Sequence, residues 1–203
     1  MTAAIAAATL LVSSLLLLFG ELPYGAVEGG FFPARVGEAA IEGHVFALPW
    51  IATPLTATLV HGGVAHLVLN LVILVFCGRQ VERAIGGAGM LVLYVVGAYA
   101  GALCHWAFDP SSAVPMIGAS GAISALVAAY ARFYGERRAR AIGPFSADVV
   151  HVAWLAAAWI GIQLLMGIAG LGGLTIAIGA HIGGFLAGLV LARPLLAWRY
   201  RGA

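Results

Sequence analysis

The chain has 203 residues, 63% of them hydrophobic and only 9% charged, with a formal net charge of +2 and a mean hydropathy of +1.04. A soluble domain carries about 25% charged residues, so an ordinary soluble globule is excluded, and so small a net charge gives no footing for nucleic acid. At about 20 apolar residues per transmembrane helix, the length admits six spans, short loops and one longer loop, with no separate soluble domain.

In chain order, uncharged apolar runs predict spans at 3–20, 64–84, 88–107, 116–134, 148–168 and 174–196. The first run has no basic leader and no Ala-x-Ala exit, so it reads as a retained helix rather than a cleaved signal peptide. Residues 21–63 form the one long loop, with Glu21, Glu28, Arg35, Glu38 and Glu42. Its Phe31, Phe32, Phe46, Leu48, Trp50 and Ile51 predict partial insertion at the membrane interface, where Trp is favoured. Loops this long in compact proteins are functional or disordered. The second run ends near Glu82 and Arg83. Asp109-Pro110 turns the chain in the 108–115 loop, which has no base, and the 169–173 loop is uncharged.

These three loops fall on one side and hold one arginine, Arg35. The other side receives Arg79, Arg83, Arg132, Arg137, Arg138, Arg140, Arg193, Arg199 and Arg201. An excess of basic residues marks the cytoplasmic side. The expectation is a single all-α membrane domain over 1–203, a multi-pass protein of a bacterial inner membrane. Both termini are cytoplasmic and the long loop is outside. Arg137, Arg138 and Arg140 would set topology and could contact anionic lipid. Cys77 and Cys104 read as buried free thiols. His44, His105 and His151 read as residues near the surfaces without a function.

Ser120 lies in Gly118-Ala119-Ser120-Gly121 and His181 in Gly179-Ala180-His181-Ile182-Gly183-Gly184. Polar groups at bilayer depth are unfavourable and usually functional. Ser120 is about four residues into the fourth expected span and His181 about seven into the sixth, so both sit roughly 6–10 Å below the outer surface. His66 and Asn70, four apart on one helical face, fall in the first two turns of the second span, at the same depth. His61 and His66 are five apart and would point away from each other on a regular helix. No carboxylate is near them, so a two-histidine zinc site is not expected, nor any cofactor. Gly118, Gly121, Ala125 and Ala128 form a small-residue stripe, and Gly184 and Gly188 form another beside His181. Such stripes let membrane helices approach closely, near enough for a serine–histidine hydrogen bond.

Serine needs a base to become a nucleophile. His181 could take that proton and return it to a leaving amine. With no acidic residue near either motif, the pattern points to a dyad. His66, Asn70 and the Ser120 backbone N–H are candidates for stabilising the oxyanion, and the helix start at Ser120 favours negative charge. The run differs from the Gly-x-Ser-x-Gly elbow of soluble hydrolases, because Gly121 follows the serine directly.

Four segments, His61-Gly-Gly-Val-Ala-His66-Leu-Val-Leu-Asn70, Gly78-Arg-Gln-Val-Glu82-Arg-Ala-Ile-Gly86, Gly118-Ala-Ser120-Gly121 and Ala180-His181-Ile-Gly-Gly184 with Gly188, give the chain its resemblance to the rhomboid intramembrane serine proteases, from residue 44 to residue 196. The resemblance implies a six-helix bundle with lateral access for substrate, Ser120 as nucleophile, His181 as base and His66 and Asn70 at the oxyanion site. It implies a structural role for Glu82 and a first loop partly in the outer leaflet. Two positions depart from the family pattern. Ser124 stands where rhomboids often have an aromatic one turn after the nucleophile, packed on the catalytic histidine, so it is a candidate modulator of His181. The Trp-Arg pair common in the first loop is missing, with Pro49-Trp50 nearby.

The leading reading is hydrolysis of peptide bonds in or beside transmembrane segments, with single-span membrane proteins as substrates, the lipid bilayer as medium and no nucleic-acid partner. A helix keeps its carbonyls bonded, so substrates with small or helix-destabilising residues near the cut are expected. The alternatives are a non-proteolytic binder of membrane helices and a small transporter. The latter lacks an intramembrane carboxylate and a clear inverted repeat.

Overall fold

The computed structural model describes residues 1–37, 40–41, 43–135, 139–168 and 177–201. Glu38, Glu42, Arg137, Arg138, the 169–173 loop and the expected start of the last span at 174 lie outside the described residues.

Among the described residues the fold is all-helical apart from one minimal hairpin. Helix α1 spans Thr2–Leu18 and stops at Gly20, whose φ of +74° suits the left-handed turn that closes helices. The long loop then contains α2 (Leu22–Gly29), a 3-10 turn at Pro33–Arg35, and strands β1 (Ala40–Ile41) and β2 (His44–Val45). The strands pair antiparallel, Ala40 with Val45 and Ile41 with His44. Helix α3 (Thr53–Thr56) lies between 3-10 turns at Trp50–Ala52 and Ala57–Leu59.

Helix α4 covers Val64–Phe108 and is broken at Gly86, whose φ of 76° and ψ of 169° are not helical. Its two arms, 64–85 and 87–108, fold back so that Gly78 meets the Met90 side chain. Helices α5 (Ser120–Tyr134), α6 (Ala147–Ile168) and α7 (Ile178–Tyr200) complete the bundle. By length and composition, α4 and α7 are long and apolar enough to cross a membrane, while α1 and the 147–162 stretch of α6 are shorter apolar helices. Leu11, Val68, Leu69, Phe76, Trp154 and Val190 are each more than half exposed, an apolar exterior suited to hydrocarbon rather than water.

Helix α5 is the core. Ala119, Ala122, Ala125, Leu126, Ala128 and Ala129 are all at most 1% exposed. Small residues bring its neighbours close. A Cβ on Gly97 would meet Ala125 and one on Gly101 would meet the Ala180 carbonyl. The Gly184 and Gly188 backbones of α7 lie against the carbonyl oxygens of Gly121 and Ala125, with no room for a side chain. At 15 residues, α5 is only about 22 Å long. It begins at Ser120, not at 116. Met116 exchanges two backbone hydrogen bonds with Phe31, at 2.8 and 3.0 Å, and Gly118 N–H donates to the Ala57 carbonyl at 2.9 Å. The Met116 backbone groups and the Gly118 N–H are thus used by the long loop rather than by a helix. Phe31 and Phe32 are buried, so this part of the loop packs as core.

Charged groups gather at the opposite end of the bundle. Asp148 bonds Arg132 at 2.8 Å and Arg193 at 2.6 Å, Arg199 packs over Gly86, and Glu82 accepts from the Thr2 N–H at 2.8 Å and pairs with the Met1 amine. Both cysteines are free, Cys77 buried and Cys104 half-buried. His151 is buried.

Candidate active site

Ser120 is the first residue of α5 and His181 the fourth of α7. Ser120 Oγ lies 2.7 Å from His181 Nε2, close enough for the imidazole to take the hydroxyl proton. The contact follows from the glycine packing just described. Gly121 borders Ala180, Gly184 borders Gly121, and one turn on Gly188 borders Ala125. The two backbones therefore meet directly below the pair. At a helix start the first N–H groups have no intrahelical acceptor, which leaves the Ser120 N–H available to a developing oxyanion.

His66 reaches the same turn. Its ring lies against Gly118, where a Cβ would come within 2.7 Å of Cε1 and 2.8 Å of Nε2. Gly118, at φ +111°, therefore has neither the backbone conformation nor the space for a side chain. His66 Nδ1 accepts from the Gly62 N–H at 3.3 Å. Asn70 is buried and donates to the His66 carbonyl at 2.9 Å, one turn back in its own helix. Ser124 is also buried, and its hydroxyl donates to the Ser120 carbonyl at 2.7 Å. A cavity of about 10 Å³ touches Ser120, Thr58, Met116 and Ala180, on the order of one water molecule.

Two residues at this site received no role from the sequence. His61 does not lie on a helix with His66. Helix α4 starts at Val64, after Gly63 at φ 152°, and the chain turns so that the two rings meet edge to face with centroids 4.9 Å apart. The Gly62-Gly63 pair was the sequence signal for that turn. Trp159 of α6 stacks on Phe185 at 4.7 Å and 7° and donates its indole N–H to the His181 carbonyl at 3.2 Å. Among the described residues, no group of three or more His, Cys, Asp or Glu side chains could hold a metal ion.

The Rhomboid domain matches residues 51–198. The chain belongs to the rhomboid family. Rhomboids are integral membrane proteins, in keeping with the apolar helices here. The chain is 28% identical over 149 residues to RHOMBOID-like protein 4 of Arabidopsis thaliana, covering 70% of this chain and 33% of that one. It is 28% identical over 166 residues to Rhomboid protease GlpG of Yersinia pestis, covering 75% and 55%. It is 38% identical over 69 residues to Rhomboid protease GluP of Bacillus subtilis, covering 34% and 13%. This rhomboid thus spans about half or less of the length of these curated relatives.

Proposed function

We propose that this chain is an intramembrane serine protease that cuts peptide bonds in or beside transmembrane segments with a Ser120–His181 dyad. The observation that carries the reading is the 2.7 Å contact between Ser120 Oγ and His181 Nε2 at adjoining helix starts in a bundle with an apolar exterior. Named rhomboid proteases among the relatives support the reaction class.

In this reading His181 Nε2 takes the Ser120 proton as Oγ attacks the substrate carbonyl. The oxyanion forms beside the Ser120 N–H and the His66 ring, donors held in place before the reaction, which is where electrostatic stabilisation is largest. Asn70 joins them if its amide turns from the His66 carbonyl. His181 then protonates the leaving amine, the acyl-enzyme forms, and a water deprotonated by His181 releases the acid. Gly121, Gly184 and Gly188 hold the two helices close enough for this exchange, and Gly118 leaves room for the His66 ring. The proposed topology has six crossings, formed by α1, the two arms of α4, α5, α6 and α7, with both termini cytoplasmic and the dyad near the outer face. Substrates are single-span proteins that expose their backbone locally.

The test is labelling by a serine-directed fluorophosphonate, with Ser120→Ala and His181→Ala as controls. Labelling at Ser120 and cleavage of a model membrane substrate, both lost in Ser120→Ala, are expected. An unlabelled but folded wild type, or cleavage retained by Ser120→Ala, overturns the proposal and favours a non-proteolytic binder of membrane helices.

A further inference from the structure

We propose that His61 is a positioning residue for the nucleophile, acting through the backbone amide of Ala119 and held in the required tautomer by Ser13 of α1. This rests on the reading of Ser120 as nucleophile.

His61 is fully buried, and so is Ser13. Both ring nitrogens have partners. Nδ1 lies 2.9 Å from Ser13 Oγ, and Nε2 accepts from the Ala119 N–H at 3.3 Å. A backbone amide can only donate, so Nε2 must be the unprotonated nitrogen and Nδ1 must carry the proton. Ser13 then accepts from Nδ1–H and donates its own hydroxyl proton to the Leu59 carbonyl at 2.7 Å. The chain Ala119 N–H to His61 to Ser13 to Leu59 has a single polarity. Moving the proton to Nε2 would set a donor against a donor at Ala119.

The bond falls where the backbone most needs it. Ala119 is the N-cap of α5, and its N–H belongs to the peptide plane it shares with Gly118. Gly118, at φ +111°, has no side chain to oppose rotation of that plane, since glycine occupies either sign of φ with similar ease. The Gly118 N–H is fixed by the Ala57 carbonyl at 2.9 Å. His61 supplies the acceptor that selects one orientation of the next plane. With both fixed, the following N–H, that of Ser120, and the direction of its Cα–Cβ bond toward His181 are set. The edge contact of His61 with His66, and of His66 with Gly118, packs the whole turn as one unit. His61 does not touch Ser120 Oγ, so it acts on the geometry of the nucleophile and not on its proton.

The test uses the full chain in lipid vesicles, with Ser120 labelling, substrate cleavage and amide exchange of residues 118–121 measured together with the thermal midpoint. His61→Leu keeps the bulk and removes the acceptor, and its kcat and labelling rate should fall about 30-fold or more, the scale of a small misplacement at a reacting centre. KM should change less than about twofold, as expected when ground-state binding is untouched. His61→Gln, whose Oε1 reaches the position of Nε2, should recover most of the rate. Ser13→Ala removes the partner of His61 Nδ1 and should cost about 3- to 10-fold, the scale of that one hydrogen bond, speed exchange at Ala119, and add nothing to the rate loss in the His61→Leu background. If His61→Leu does not fold, Ser13→Ala and His61→Gln still decide the question. A folded His61→Leu that labels at the wild-type rate, or rates that follow only the folded fraction in every variant, overturns this inference alone. A folded wild type that is not labelled overturns it together with the proposed function.

Discussion

Trp159 donates its indole N–H to the carbonyl oxygen of His181 at 3.2 Å while its ring lies flat on Phe185, one helical turn further along α7. Val152, Leu155, Ala156 and Trp159 of helix α6 pack against Phe185 and Leu189, and Trp159 is the one of these that also bonds at His181. Trp159→Phe should keep the stack and lose the donor. A neutral hydrogen bond contributes about 0.5–1.5 kcal/mol to stability, so the melting temperature should fall slightly and the labelling rate of Ser120 is expected to drop about 3- to 10-fold. Trp159→Ala also removes the stack and should lower both. Equal labelling by wild type, Phe and Ala variants would show that the indole does not steady the base.

The helices follow the apolar runs of the sequence because the backbone can satisfy itself within each run, and that much was legible. The close meeting of α5 and α7 was also encoded in plain view, in glycines spaced four apart beside His181. Helix starts were less legible. Residues 116–118 are apolar and uninterrupted, yet both backbone groups of Met116 go to Phe31 and the Gly118 N–H goes to Ala57, a partnership between segments more than fifty residues apart. His61 was misplaced for a related reason. A spacing of five would point His61 and His66 apart on a regular helix, whereas the turn at Gly62-Gly63 brings the two rings together. Trp159 gave no signal, because α6 is apolar on nearly every face and its rotation is set only by what it packs against.

Glycine at 184 and 188 carries the approach of the two helices. A Cβ at either position would overlap a carbonyl oxygen, of Gly121 or Ala125, and neither partner is a flexible side-chain end. Overpacking of this kind costs about 1–3 kcal/mol, and moving α7 outward also lengthens the Ser120–His181 contact. Gly184→Ala is expected to lower the melting temperature and abolish labelling, with Gly188→Ala milder on labelling because it lies two turns from His181. Gly161→Ala, where a Cβ meets nothing within 4 Å, serves as control. Full labelling of Gly184→Ala would mean that the helices have slack the packing does not suggest.

Asp148 ties the charged end of three helices, bonding Arg132 of α5 and Arg193 of α7 from the first turn of α6. The Arg132 side chain is only 7% exposed, so removing its anion leaves a largely buried cation. Breaking a buried pair costs about 3–5 kcal/mol. Asp148 and Arg193 are partly solvated, and screening brings the expectation for Asp148→Asn to about 1–3 kcal/mol. Twelve residues separate Arg132 from Ser120, about 18 Å along the helix, so labelling per folded molecule should remain within about twofold of wild type. A variant of normal stability that labels poorly would instead tie this cluster to the chemistry.

Glu28 gives the long loop an acid-sensitive anchor. Its carboxylate accepts the Ala47 N–H at 2.8 Å and pairs with His44 Nε2 at 2.9 Å. The Ala47 bond, helped by His44 and by the more distant charge of Arg35, holds the Glu28 carboxyl below its usual range, against a smaller opposing effect of burial. A depressed carboxylate pKa stabilises the folded state above the unfolded value of 4.5 and loses that contribution as pH falls through the lower folded value. The loop should therefore be fully anchored at neutral pH and loosen only on the acid side. For a surface group of this kind the effect is about 1 kcal/mol or less. Glu28→Gln should melt slightly lower than wild type at neutral pH, and the two curves should converge as the pH is taken well below 4.5. Parallel curves across that range would show that Glu28 is not the titrating anchor.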